Sequence, residues 1–137
     1  MARIGTLEEH GIFISLSDAL TLLNASQKQQ QDERFVLGRD VVATWLNYLA
    51  GNGIGDDSDG TPRHYIDASV QWLDNTTGSD HSLSVINDLK ANAVGASSTK
   101  WQQPQFGLDL SGAQLHNGLD EYNNHGTILG VAYATTP

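Results

Sequence analysis

The residues best equipped for chemistry lie in one stretch, Gly51-Asn52-Gly53-Ile54-Gly55-Asp56-Asp57-Ser58-Asp59-Gly60. It gathers three carboxylates, an amide and a hydroxyl in a glycine-rich turn. Hard cations such as calcium take about six to eight oxygen ligands, and loops of this composition supply them from Asp, Asn and backbone carbonyls. Asp56, Asp57 and Asp59 repel one another at close range unless an ion or water screens them, and bound calcium would order the loop. The expected ligands are Asp56, Asp57 and Asp59, with Asn52 or Asp67 completing the shell. The register is not that of an EF-hand. With Asp56 as first ligand, Asp67 falls correctly at the twelfth position, but Gly60 occupies the fifth and Thr61 the sixth, where glycine is required. With Gly60 as the sixth residue, the first ligand falls on Gly55, which has no side chain. Two readings remain: an irregular calcium site, or a solvated acidic turn in which Asp is present because it suits turns.

No other constellation matches it. The five histidines, His10, His64, His81, His116 and His125, form no HExxH and no metal-ligand pair on one helix face. His64 and Asp67 are three apart and share a helix face, as surface contacts commonly do. No G-x-S-x-G elbow and no glycine-rich phosphate loop occurs. Two carboxylates for glycoside hydrolysis would have to come from 16 acidic residues with no geometric guide. A non-catalytic role is therefore expected. Asp109, Asp120, Glu121, Asn123 and Asn124 form a weaker polar group, read as the capped end of a helix. Trp101 and Phe106 lie in a loop over residues 95–107. Such aromatics either tuck over a core or face a partner, and these two are the candidates for contact with a glycan or protein.

Helices must position these groups. Residues 12–16 are apolar and β-prone. Ser17 is the expected cap of a first helix bearing Leu16, Leu20 and Leu23, which fades into the glutamines at 27–31. The strongest pattern covers residues 32–50, where Phe35, Val42, Trp45, Leu46 and Leu49 recur at three- and four-residue steps and Gly51 ends the run. Thr61-Pro62 reads as an N-cap followed by proline at the first helical position, opening a helix with Ile66, Val70 and Leu73 on one face. Ser79 or Asp80 starts a fourth helix bearing Leu83, Ile86 and Leu89. Ser111 caps a fifth, with Leu115, Leu119 and Tyr122. The β-prone residues 127–134 are expected to pair with 12–16. The predicted fold is mainly α, with four to five amphipathic helices and a small two-stranded β element from the chain ends. One domain is expected over residues 1–137, with 1–10 as a flexible terminus.

Composition narrows the partners. The net charge is −9, and the seven Lys and Arg are scattered singly. Phosphate backbones and anionic membrane surfaces need concentrated positive charge, so neither is an expected partner. There is no Cys, hence no disulfide or thiolate site. No apolar run approaches the roughly 20 residues of a membrane span. Asp, Asn, Gly and Thr with little Lys suit a secreted bacterial protein. Residues 1–9 lack the apolar core of a signal peptide, so the export signal of such a protein would lie outside this segment.

Residues 12–20 (IFISLSDAL), 24–26 (NAS) and 37–52 (LGRDVVATWLNYLAGN) together resemble a helical domain of bacterial secreted and surface proteins associated with haemolysin-type calcium-binding repeats. The glycine-rich nonapeptide repeats themselves do not occur here. The resemblance implies an extracellular, calcium-rich setting and a structural or adhesive role, and it transfers no site residues. Two alternatives accompany that expectation. One is a self-assembling subunit whose β-prone ends pair between chains. The other is a carbohydrate-binding or hydrolytic domain.

Overall fold

A computed structural model describes residues 2–5, 11–24, 31–76 and 93–133. Within them the chain is mainly helical, with five helices and two small antiparallel sheets. Strands β1 (Ala2–Ile4) and β2 (Ile12–Ile14) pair with Arg3 opposite Phe13. Helices α1 (Leu16–Leu23), α2 (Glu33–Leu49) and α3 (Pro62–Thr76) follow, then the short α4 (Thr99–Gln102) and α5 (Gly112–His125). Strands β3 (Thr127–Ile128) and β4 (Val131–Ala132) close the described chain.

The centre of the molecule is three helices, with α2, α3 and α5 in mutual contact and α1 lying on α2. Phe35, Leu37 and Val41 of α2, Ile66, Val70, Trp72 and Leu73 of α3, and Leu115 and Leu119 of α5 are fully buried. Glycine sets how closely α5 approaches α3. A Cβ at Gly118 would overlap the Tyr65 ring, and one at Gly112 would strike Trp101.

The helix starts follow capping chemistry. Ser111 Oγ accepts from the Gln114 amide while the Gln114 side chain accepts from the Ser111 amide, a complete capping box. Thr61 Oγ accepts from the His64 amide at 3.1 Å ahead of Pro62, as expected for α3. The first helix starts earlier than the sequence suggests. Its cap is Ser15, whose hydroxyl accepts from the Asp18 amide, and not Ser17. Of the expected stripe, Leu23 packs partly buried against the core, while Leu16 and Leu20 are exposed and Leu22 takes the fully buried place.

The strand pairing also differs from expectation. The two chain ends do not pair with each other; each forms its own local hairpin. Strand β2 finds its partner in β1, inside the stretch expected to be a flexible terminus, where Ile4 is buried with Ile12 and Ile14. At the other end Leu129 and Gly130 both have positive φ, 48° and 81°, which a two-residue hairpin turn requires. Glu121 secures that turn. Its carboxylate accepts from Thr127 Oγ1 at 2.5 Å and from the Leu129 and Gly130 amides, and these bonds hold it below the usual glutamate range. The expected fourth helix, at Leu83, Ile86 and Leu89, lies outside the described residues.

Among the described residues one ion pair is fully buried. Arg34 Nη2 donates to Asp32 Oδ2 at 2.7 Å, and both side chains are sealed from solvent. Asp32 Oδ1 also accepts from the Arg34 and Val94 amides, and Arg34 Nη1 donates to the Thr76 carbonyl. Replacing Asp32 would strand a buried guanidinium, which typically costs about 3–5 kcal/mol. Urea unfolding of Asp32→Ala should show a loss of that order. A loss below about 1 kcal/mol would mean that the pair contributes little beyond an ordinary cap.

Candidate functional site

The acidic loop joins the end of α2 to the start of α3, and a set of bonds shapes it. Gly51, Gly55 and Gly60 all adopt positive φ, which lets the chain turn three times in ten residues. Thr61 Oγ1 donates to the carbonyls of Asp56 and Ser58 while accepting from the His64 amide, so one hydroxyl ties the loop to the first turn of α3. The Asp56 carboxylate turns inward on its own loop and accepts from the Ser58 amide and hydroxyl, which lowers its pKa from the ordinary value. That is an Asx turn, and it occupies the carboxylate locally.

The five expected calcium ligands are therefore divided. Asp56 serves the turn. Asn52 donates from its side-chain amide to the Asn47 carbonyl at 3.0 Å and lines a separate groove with Tyr48. Asp57 and Asp67 border a cleft of about 270 Å³ whose wall includes His64, Gln71 and Leu108. Asp59 stands beside His64, with Oδ1 at 3.8 Å from Nδ1. On the other ring nitrogen, Asp109 Oδ1 lies 3.3 Å from His64 Nε2. Among the described residues, Asp59, His64 and Asp109 are the only three His, Cys, Asp or Glu side chains whose ligand atoms all lie within 4.8 Å of one another. Three of the five expected residues thus border or join a site centred on His64.

Sequence reasoning paired His64 with Asp67 along the helix and missed Asp109. The two are 45 residues apart, and only the packing of α5 against α3 brings the segment before α5 to the first turn of α3. The visible signal was Asp109 in the second polar group. Its other members are engaged elsewhere in the fold. Glu121 holds the β3–β4 turn, and Asn123 Oδ1 accepts from Thr44 Oγ1 and Asn47 Nδ2 across the α2–α5 seam.

The two aromatic candidates differ in burial. Trp101 is 4% exposed and stacks edge-on against Trp72, with ring centroids 5.4 Å apart. The Trp72 indole donates to the Lys100 carbonyl, which seats the short α4 against the core. Phe106 is half-buried against the same core. Trp101 is thereby withdrawn from the surface, while Phe106 keeps part of its ring exposed.

A second polar pair sits deeper. Asp40 of α2 is nearly sealed, and its Oδ2 lies 2.5 Å from His116 Nδ1 on α5, with Trp101 tilted over the imidazole. Hydrogen bonding to Asp40 raises the His116 pKa above its ordinary value. Burial raises that of Asp40, opposed by its bond to His116. Neither residue was singled out in the sequence, because 76 residues separate them.

Fold and site together define a mainly α module with a carboxylate-rich cleft around one histidine. No protein-family model matches the chain, and no curated protein or solved structure is detectably similar to it.

The Asp40–His116 pair makes a pH prediction. A histidine with a raised folded pKa holds its proton more tightly in the native state. Its stabilising contribution is full below the unfolded value of about 6.5 and is lost as pH rises through the folded value. Wild-type stability to urea should therefore fall as pH rises above the unfolded value of about 6.5, and His116→Gln should flatten that slope. Equal slopes in the two proteins would assign the dependence to another group.

Proposed function

We propose that this chain is a non-catalytic structural or adhesive module of an extracellular bacterial protein, in which a divalent cation fastens the 51–60 loop to the helical core. The observation that carries the reading is the convergence of Asp59, His64 and Asp109, with Asp57 and Asp67 bordering the cleft that His64 also lines. Those groups come from three places: the loop, the first turns of α3, and the segment leading into α5. An ion held among them would cross-link all three. Four carboxylates around one imidazole also carry a charge repulsion that a cation relieves.

The donor set bears on which ion is held. Calcium takes oxygen ligands, whereas imidazole nitrogen with carboxylate oxygen suits zinc and neighbouring transition ions. The expectation of calcium is therefore widened to divalent cations, with zinc favoured if His64 is a direct ligand. Support for an extracellular setting comes from the composition and from the resemblance of residues 12–52. No helix among the described residues is long and apolar enough to cross a membrane.

Self-association is the second reading, and one observation favours it. Leu16 and Leu20 of α1 and Leu46 and Leu49 of α2 are all more than half exposed. Pairing between chains through the terminal β segments is less favoured, because each already has a local partner. Sedimentation at rising concentration tests this reading, and a strict monomer would count against it.

For the cation, thermal melts should be compared in chelator, in calcium and in zinc. A native-state ligand at 100 times its dissociation constant adds about 2.7 kcal/mol, which raises the melting temperature by several degrees in a chain of this size. His64→Ala and Asp109→Ala should each abolish the rise. An identical melting temperature in all three conditions would sink the proposal, and a rise that survives both substitutions would place the ion elsewhere.

A further inference from the structure

The acidic loop has a second use in its first half. Asn52 and the backbone from Gly53 to Gly55 wall a groove of about 570 Å³ that is also lined by Trp45, Tyr48 and Arg63. Sites for small organic ligands typically span about 300–1,000 Å³, so the groove has the volume for a short oligomer. It shares the loop with the His64 cleft but no lining side chain, and so stands independently of any ion there.

Its chemistry is divided between flat apolar faces and fixed polar groups. The Trp45 and Tyr48 rings lie 5.1 Å apart with planes at 51°, forming an open V. Trp45 rests partly on the core, while Tyr48 is 40% exposed. The polar flank is held from behind. The Tyr122 hydroxyl donates to the Gly53 carbonyl at 2.6 Å, the Arg63 amide donates to the Ile54 carbonyl, and the Asn52 amide is oriented by its bond to Asn47. The groove thus offers aromatic surface edged by an amide, a phenol, a guanidinium and peptide groups bare of side chains at Gly53 and Gly55. These are donors and acceptors in positions that do not need to be ordered on binding.

We infer that this groove binds a short neutral saccharide, stacked on Trp45 and Tyr48 and held at its hydroxyls by Asn52, Arg63 and the 53–55 backbone. A pyranose presents an apolar C–H face and a rim of hydroxyls that both donate and accept, which matches this arrangement. The neutral class follows from charge. The chain carries −9 overall, which disfavours the approach of an acidic sugar, while Arg63, the one charged residue lining the groove, is a donor to hydroxyls. A proline-rich peptide also packs on paired aromatics, but it offers mainly carbonyl acceptors and would leave the Asn52 carbonyl without a donor.

The test is saturation-transfer NMR with gluco-, xylo- and N-acetylglucosamine oligomers and with an oligoproline peptide. All titrations are run in chelator, so that the state of the His64 cleft does not enter. At least one neutral oligosaccharide should bind. Tyr48→Ala, an exposed position whose melt should match wild type, should weaken that binding about tenfold or more, as should Trp45→Ala. Absence of binding by every oligosaccharide, binding unaffected by Tyr48→Ala, or binding of oligoproline alone would each overturn the assignment.

Discussion

The buried Asp32–Arg34 pair is the constraint on which the helical frame depends. It places a full ion pair where water cannot reach, which is unfavourable unless every remaining polar atom finds a partner. Those partners dictate the architecture. Asp32 must stand at the start of α2, because it caps the helix while binding Arg34. The last residue of α3 must present its carbonyl to Arg34, and the chain at Val94 must present its amide to Asp32 while its carbonyl accepts from Glu33. Three parts of the chain are brought to one point by the demands of a single charge pair. An apolar core of the same shape would bring them together with less specificity of register.

With α2 and α3 fixed in this way, the loop between them has limited freedom, and Thr61 decides much of its form. Its hydroxyl is the N-cap of α3 and also the anchor for the carbonyls of Asp56 and Ser58. Capping a helix and folding the loop are here one set of bonds. The same contact sets the height of His64 on the first turn, and the α3–α5 packing, with Gly118 under Tyr65, brings Asp109 alongside. The electrostatic site is thus a by-product of close helix packing at a glycine. A larger residue at Gly118 would move α5 and, with it, the carboxylate.

How much of this was legible in the sequence follows from the range of each interaction. Local chemistry read well: the Asp32 start and Gly51 stop of α2, Thr61-Pro62 at α3 and the Ser111 cap of α5 are all set within four residues of chain. The first helix misled because Ser15 and Ser17 are equally good caps by type. The choice between them is made by which leucine the core accepts, and that is tertiary. The β-prone ends misled for a related reason. A strand-like run declares its propensity but not its partner, and β2 paired with residues eight to twelve positions upstream. The loop's acidity was plain, yet its division was not. Asp56 is drawn off by Ser58 two residues on, while Asp59 is joined by Asp109, which no spacing rule connects to it. Asp40 and His116 were invisible for the same reason.

The loop's position at the α2–α3 junction explains why one segment can serve two surfaces. Its first residues continue from the exposed end of α2, where Trp45 and Tyr48 project, so they wall a groove with aromatic character. Its last residues enter α3 beside His64, so they add carboxylates to a polar cleft. Between them Ile54 turns into the core with 7% exposure, and its carbonyl is taken by the Arg63 amide. That buried residue separates the two halves mechanically. An ion drawing on Asp57 and Asp59 would pull on the loop beyond Ile54 and leave Asn52 and Gly53 held by Asn47 and Tyr122. Ordering at one surface therefore does not require rearrangement at the other, and the composition of the loop, with carboxylates clustered only after Gly55, reflects that division.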